Sequence, residues 1–174
     1  DLHYTPLPRK TPSFGMNAVP FNTAPDSTSP WVVPGTYTVR LTAGGTSSTQ
    51  PLVVRMDPRV RTSAEGLAQQ HALSMQMYDD LRRVNASLEE FGTLQSKARN
   101  AKYEEIAGAA EEDDENPSPR SKDAPDTLTS VADSLKQLFD SLQSADVAPT
   151  TQTVAAVADE HRAAEAILKR WEER

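Results

Sequence analysis

The sequence predicts an α+β fold, a small antiparallel β segment followed by an antiparallel three-helix bundle, from the positions of its prolines and its apolar residues. Nine of the 13 prolines lie between Pro6 and Pro58, and none lies in residues 59–116. Because proline removes a backbone donor and clashes inside helices, a strand-and-turn region precedes a helical one. Apolar residues of the second region recur every three or four positions, which is typical of helices with one buried side. We therefore predict two domains, residues 1–57 and residues 58–174.

A β-hairpin at about residues 36–56 forms the centre of the first domain. Polar and apolar residues alternate from residue 36 to 42 and again from 52 to 56, and Gly44-Gly45 between them favours a tight turn. Successive side chains of a strand point to opposite faces, so one face of the hairpin is predicted to be buried. The residues of that face are Tyr37, Val39, Leu41, Leu52, Val54 and Met56.

Residues 1–30 are rich in proline and are predicted to be extended, adding one or two edge strands. A lone hairpin is marginal in water, and an immunoglobulin-type sandwich has about seven strands. We therefore predict a partial Ig-like sandwich, whose missing strands precede Asp1 in a parent protein, or else a hairpin that packs on the helices. The chain starts at Asp1 without an initiator Met or an apolar leader, so we expect a mature product or an excised fragment.

Three apolar stripes predict helices at about residues 63–108, 126–143 and 150–173, with an acidic loop at 111–123. Thr62-Ser63-Ala64-Glu65 has the pattern of a capping box for the first helix. That helix would span about 70 Å if continuous, so we expect it to break near Gly92 or to project beyond the bundle. The stripe residues are Leu73, Met77, Leu81, Val84, Leu88 and Phe91 in the first helix, Leu128, Val131, Leu135, Leu138 and Leu142 in the second, and Val154, Val157, His161, Ala164, Leu168 and Trp171 in the third.

Few residues of the sequence are candidates for catalysis or metal binding. His161 and Glu165 lie one helical turn apart, with Glu160 beside them, and zinc accepts ligands of these types. A di-metal bundle needs a matching motif on a second helix, which the sequence does not contain. We therefore predict no metal and no cofactor, and a His161 at the edge of the core that bonds to a neighbouring side chain or water. A metal-dependent hydrolase that uses His161, Glu160 and Glu165 is kept as a third hypothesis.

Other functional classes are excluded by composition and by missing motifs. The acidic run 111–115 lacks EF-hand spacing, and no serine-nucleophile motif occurs, so we predict no catalytic residue and no enzyme. The absence of cysteine excludes disulfides and thiolate zinc sites. The net charge of −7, without a basic stripe, argues against nucleic acid as a partner. No apolar run approaches the roughly 18 residues of a membrane span.

Three aromatic residues, Trp31, Tyr37 and Trp171, are the candidate interaction residues. Exposed aromatic rings stack on sugars and anchor protein interfaces. We favour packing in the core or between domains for both tryptophans, because Trp171 belongs to an apolar stripe and Trp31 precedes a strand. Stacking of Trp31, Tyr37 or Tyr4 on a glycan is the alternative.

The segments Trp31-Val-Val-Pro-Gly-Thr-Tyr-Thr-Val-Arg-Leu-Thr42 and Gln50-Pro-Leu-Val-Val-Arg-Met-Asp-Pro-Arg59 resemble the C-terminal region of exported bacterial proteins with BNR or sortilin-like β-propellers. These proteins often carry a glycosyl hydrolase or sialidase-like label. In that family an Ig-like segment and a helical tail follow the propeller, and residues 72–82 and 142–150 are similar to that tail. No Asp-box of a propeller occurs in this chain, so no catalytic residue is carried over.

The resemblance implies a secreted, periplasmic or cell-surface protein in which this chain has an accessory role. We therefore expect a non-catalytic structural or interaction module. Its partner would be an upstream β-propeller domain or another protein subunit. A carbohydrate-binding accessory module of a glycosidase-like protein is the alternative function.

Overall fold

The computed structural model describes residues 2–7, 29–94, 101–108 and 125–174. Within these ranges the chain forms two strands and then four helices. The elements in chain order are β1 (Gly35–Ala43), β2 (Thr46–Val54), α1 (Ala64–Leu94), α2 (Ala101–Ala107), α3 (Leu128–Gln143) and α4 (Thr151–Glu172). The α+β class is therefore confirmed, with four described helices where three were predicted. The predicted acidic loop at 111–123 lies outside the described residues.

The two strands form the predicted antiparallel hairpin, paired from Gly35↔Val54 to Ala43↔Thr46. Its turn is Gly44-Gly45, with φ angles of +55° and +79°. Two successive positive φ angles are the geometry of the tight hairpin turn that matches the natural twist of strands, and glycine adopts them without steric strain.

The prediction that one face of the hairpin is buried is wrong, because none of its six residues is buried and three of them are exposed. Val39, Leu41 and Leu52 are 49%, 68% and 40% exposed. Neither strand packs on a helix in the part of the chain that the structure describes. The helices direct their apolar stripes at one another, so they supply no second layer for the hairpin. Tyr37 is half-buried, and its hydroxyl donates to the carbonyl of Val33 at 2.6 Å.

Helices α1, α3 and α4 pack around one apolar core. Gln70, near the start of α1, donates to the carbonyl of Ala145 just after α3, at 2.6 Å, so these helices are antiparallel. Trp171 near the end of α4 bonds to Glu90 near the end of α1, so α4 runs parallel to α1. All three predicted stripes contribute to the core. Its fully buried members include two residues outside the predicted stripes; the set is Met77, Val84, Leu128, Val131, Leu135, Phe139, Val157, Ala164 and Ile167.

The predicted long first helix is interrupted, which is the first of its two expected outcomes, and α1 ends at Leu94, two residues after Gly92. Phe91 and Tyr103 both contact the ring of Trp171, with centroids 6.2 Å and 5.9 Å away. A continuous helix would separate these two residues by about 18 Å along its axis. The short helix α2 therefore folds back over the end of the bundle, where Thr129 donates to the carbonyl of Ala107 at 2.8 Å.

The predicted capping box at the start of α1 does not form, because the cap is Ser63 and the residue three positions later, Gly66, has no side chain to return the bond. Ser63, rather than Thr62, accepts a hydrogen bond from the backbone N–H of Gly66, at 3.1 Å. The hydroxyl of Thr62 instead donates to the carbonyl of Asp146, at 2.6 Å, and so attaches the helix start to the α3–α4 connection. A tertiary contact thus takes the hydroxyl that the local pattern assigned to the cap.

Residues 2–7 and 29–32 attach the N-terminal part of the chain to the helices. Tyr4 N–H donates to the Pro30 carbonyl at 3.0 Å, and Val32 N–H donates to the Leu2 carbonyl at 2.9 Å. The hydroxyl of Tyr78 on α1 donates to the Thr5 carbonyl at 2.8 Å. Within the described part of residues 1–30, strand pairing is limited to one isolated β-bridge, in which His3 pairs with Trp31. The domain boundary near residue 57 stays a prediction.

Replacing Gly66 by alanine is expected to destabilise the fold although alanine is the better helix former. A Cβ at this position would lie 2.8 Å from the Cβ of Ala148 and 3.1 Å from Thr62 Cγ2. Displacing the α3–α4 connection should lower the free energy of unfolding by about 1–3 kcal/mol. Gly92→Ala is the matched control, because nothing lies within 4 Å of its Cβ position. It should raise stability by about 0.5–1 kcal/mol. Urea unfolding measures both, and a Gly66→Ala protein more stable than the wild type would contradict the tight contact.

Candidate functional site

The hairpin presents an apolar face to solvent. The register places Tyr37 opposite Leu52, and side chains two residues apart share a face. We call the side formed by Tyr37, Val39, Leu41 and Leu52 the apolar face. On the other side of the hairpin, Thr38 lies opposite Pro51. Contiguous apolar patches on a protein surface commonly mark sites where a partner binds.

Trp31 lies at the base of the hairpin and is held there by two contacts, of which one is extended to α1 through Gln143. Its backbone N–H donates to Gln143 Oε1 at 3.0 Å, and Gln143 Nε2 donates to Ser74 Oγ on α1 at 2.7 Å. The imidazole of His3 lies against the indole, with centroids 3.6 Å apart. Even so, Trp31 is 52% exposed. The packing that was predicted for Trp31, in the core or between domains, is therefore only partial. Part of its indole faces solvent although the residue is held in place.

A shallow cleft lies beside Trp31, between the base of the hairpin and helices α1 and α3. His71 contributes an imidazole whose Nε2 is buried and has no hydrogen-bond partner among the described residues. Burial lowers the pKa of His71, so its neutral form is favoured. The lining residues are Trp31, Val32, Val33, Pro34, Met56, Leu67, Gln70, His71, Gln143 and Asp146.

Trp171 lies inside the bundle, which confirms core packing for this tryptophan. Only 2% of the residue is exposed. Its indole Nε1 donates to Glu90 Oε2 at 3.0 Å, and the guanidinium of Arg174 lies 3.7 Å from the ring centroid. Of the three candidate interaction residues, Trp171 thus faces the core, Tyr37 belongs to the apolar face, and Trp31 lies at the hairpin base.

A cluster of charged groups joins α1 to α4. His161 Nδ1 donates to Asp80 Oδ2 at 2.7 Å, and the Asp80 side chain is 4% exposed. Arg83 forms an ion pair with Glu165, and its Nη1 lies 3.8 Å from Asp80 Oδ1. The expectation that His161 bonds to a neighbouring side chain at the edge of the core is confirmed, and the neighbour is Asp80.

The two carboxylates of this cluster have opposite electrostatic surroundings. Burial raises the pKa of Asp80, and the hydrogen bond from His161 and the nearby charges of His161 and Arg83 only partly offset it. The ion pair with Arg83 lowers the pKa of Glu165, which is 48% exposed. Asp80 therefore carries a charge in a poorly solvated place, and its neighbours are needed to stabilise that charge.

The cluster has ligand types that could hold a metal ion but is already charge-compensated. One donor atom each of Asp80, His161 and Glu165 lies within 4.8 Å of the other two. Zinc would need these atoms at about 2.0–2.2 Å from the ion. Arg83 contacts Glu165 and lies near Asp80, so its guanidinium supplies the positive charge that a metal ion would bring. The arrangement favours a structural charge network between helices.

Two of the four cluster residues were not predicted from the sequence. The predicted trio of His161, Glu160 and Glu165 contributes two members, and Asp80 takes the place of Glu160. A signal for Asp80 was present, because it follows Met77 by three residues and precedes Val84 by four, which puts a carboxylate on the buried stripe. A charge on that stripe needs a partner from another helix.

Comparison with known proteins adds no relative. No protein-family model, curated protein or solved structure matches this chain. Among the described helices, none combines the length and the apolar composition that crossing a bilayer requires.

Proposed function

We propose that this chain is a non-catalytic interaction module that docks through its β-hairpin on a β-rich neighbour. The observation that carries the proposal is the exposed apolar face, with Val39, Leu41 and Leu52 at 49%, 68% and 40% exposure. A two-stranded hairpin is marginally stable alone and gains stability from further strands or a second layer. In the described chain the helices do not provide that layer.

The helical part supports the hairpin rather than covering it. The bond from Trp31 N–H to Gln143, and from Gln143 to Ser74, fixes the hairpin base to α3 and α1. Because Trp31 lies just before β1, this attachment restricts the start of the hairpin, so less conformational freedom is lost when a partner binds. This division of roles suits an accessory module.

The neighbour we propose is the one that the sequence resemblance implies, an upstream β-propeller domain of an exported bacterial protein or a second subunit. In that setting the hairpin would complete an Ig-like sandwich. An interaction module needs no catalytic residue and no cofactor. Export to the periplasm, cell surface or medium belongs to the same proposal.

Site-specific photocrosslinking in the producing cells tests this function. With p-benzoylphenylalanine in place of Leu41, we expect a crosslink whose mapped peptide lies on a strand of a β-rich domain. The same group in place of Lys169, an exposed position of α4 whose side chain is 74% exposed, is the control. A crosslink from position 41 that is no stronger than the crosslink from position 169, or that maps to a helix, would contradict the proposal.

Glycan binding is the second candidate, favoured by the half-exposed and firmly held Trp31. A sugar ring stacked on this indole would change its fluorescence, whereas Trp171 in the core would report little. Titration of the Trp171→Phe protein with oligosaccharides isolates the Trp31 signal. A saturable change that disappears in a Trp31→Phe, Trp171→Phe protein would establish this function, and a flat titration would remove it.

A further inference from the structure

The two outer edges of the hairpin differ in their ability to accept another strand. The turn has two residues, and in such hairpins the flanking pair, here Ala43↔Thr46, exchanges both backbone hydrogen bonds. Pairs alternate along the ladder, so the backbone groups of Thr38 and Pro51 point outward. Two observations agree with this alternation of hydrogen-bonded and non-hydrogen-bonded pairs. Pro51 has no N–H to donate to the ladder, so it suits a pair without backbone hydrogen bonds. The Thr42 and Ser47 hydroxyls approach to 2.7 Å, and side chains lie closer in such a pair than in a hydrogen-bonded one.

The outer edge of β1 has a complete row of backbone donors. By the same alternation the outward N–H groups of β1 belong to Thr36, Thr38, Arg40 and Thr42. On β2 the corresponding row is interrupted at Pro51, between Thr49 and Val53. Proline at an edge prevents a further strand from pairing there. Among the described residues, the edge of the hairpin that is open to further pairing is therefore that of β1.

Charge indicates what kind of strand fits this edge. Residues 29–61 contain four arginines and a single acidic residue, whereas residues 62–174 contain 12 basic and 22 acidic residues. Arg40 lies in the middle of the β1 row, is exposed, and faces Thr49 across the ladder. The only acid of the segment, Asp57, pairs with Arg59 at 2.6 Å. The β1 edge thus presents a cation without a cross-strand carboxylate in the described chain.

We propose that the outer edge of β1 binds, by strand addition, an extended partner segment in which acidic and apolar residues alternate. Its carboxylates would lie beside Arg40 on one side of the sheet, and its apolar residues would continue the apolar face beside Val39 and Leu41. This assignment rests on the proposed function and names its partner. A second copy fits less well, because antiparallel pairing of two β1 edges over residues 36–42 puts the two Arg40 side chains about 7–8 Å apart on one face.

Titration of the isotopically labelled full chain with two capped eight-residue peptides tests this proposal. One peptide alternates glutamate and valine, and the other alternates lysine and valine. We expect the acidic peptide to shift the backbone amide signals of Thr36, Thr38, Arg40 and Thr42 and to slow their hydrogen exchange, with the lysine peptide at least tenfold weaker. Arg40→Glu should reverse the preference between the two peptides.

Two variants show which outer edge of the hairpin binds the peptide: Thr38→Pro on β1 and its matched control Thr49→Pro on β2. Each removes one outward donor, from β1 and from β2 respectively, so only Thr38→Pro should abolish binding. Signal shifts on β2, equal binding of both peptides, or no binding at millimolar concentration would overturn the proposal. Signal shifts that grow with protein concentration in the absence of peptide would instead make a second copy the occupant. A Leu41 crosslink to a β-rich domain without peptide binding would leave the proposed function standing and remove only strand addition.

Discussion

Replacing Trp171 by alanine is expected to lower the free energy of unfolding by about 3–5 kcal/mol. The residue is 2% exposed and contacts the rings of Phe91 and Tyr103, so the substitution leaves a cavity where α1, α2 and α4 meet. It also removes the donor to Glu90 and the ring beneath Arg174. A loss of this size is a large share of the total stability of a domain. Urea unfolding followed by circular dichroism measures it.

Two controls separate packing at Trp171 from a role in binding. Trp171→Phe keeps most of the ring but loses the bond to Glu90, and should cost about 1–2 kcal/mol. Trp31→Ala removes an indole that is 52% exposed, and should cost about 1 kcal/mol or less. If Trp171→Ala were as stable as Trp31→Ala, the α2 end of the bundle would not be packed as described.

The substitution His161→Ala is expected to lower stability by about 2–3 kcal/mol near neutral pH. It leaves the Asp80 carboxylate buried without its hydrogen-bond donor, and only Arg83, 3.8 Å away, remains to balance the charge. Because the His161 side chain is 38% exposed, water replaces part of the lost contact. For this reason we expect less than the full loss of a deeply buried pair.

The pH dependence of this loss identifies Asp80 as its source. Burial raises the folded-state pKa of Asp80 above its ordinary value of 3.8, and removing His161 takes away a group that lowers it. Between the unfolded and folded pKa values the folded protein binds more protons, so stability falls as pH rises through that interval. Comparing His161→Ala with the double variant His161→Ala, Asp80→Asn at several pH values isolates this effect. The double variant should be the more stable at pH 7, and its advantage should disappear as pH falls to about 3.8 or below. If the double variant were no more stable than His161→Ala at pH 7, lost packing and not the buried charge would be what destabilises His161→Ala.

Residue patterns predicted the elements of this fold well, because elements follow from short-range chemistry. The apolar spacing of Met77, Leu135 and Leu168 predicted their burial, and the tight turn at Gly44-Gly45 followed from backbone freedom. The length of the predicted first helix left two outcomes open, a break near Gly92 or a projection beyond the bundle, and the break is the one observed. The helix start was misplaced by one residue, because the Thr62 hydroxyl bonds to Asp146, which is distant in sequence.

The candidate site was predicted less completely than the fold. Trp31 and Tyr37 were named from the sequence, but packing was favoured for Trp31, which is 52% exposed. The exposure of Val39 and Leu41 could not be predicted, because alternation indicates that a strand has an apolar side without indicating what covers that side. Asp80 and Arg83 were missed because their partners, His161 and Glu165, lie about 80 residues away on α4.

Proline positions and side-chain periodicity act within a few residues, so they were sufficient to predict a hairpin followed by helices with one apolar side. Packing in three dimensions set which of these surfaces are covered: the helices bury one another's apolar sides, and no described helix covers the hairpin. It also decided that a carboxylate on the α1 stripe meets a histidine on α4. Both outcomes depend on which surfaces meet in space, and that depends on contacts between residues far apart in the chain.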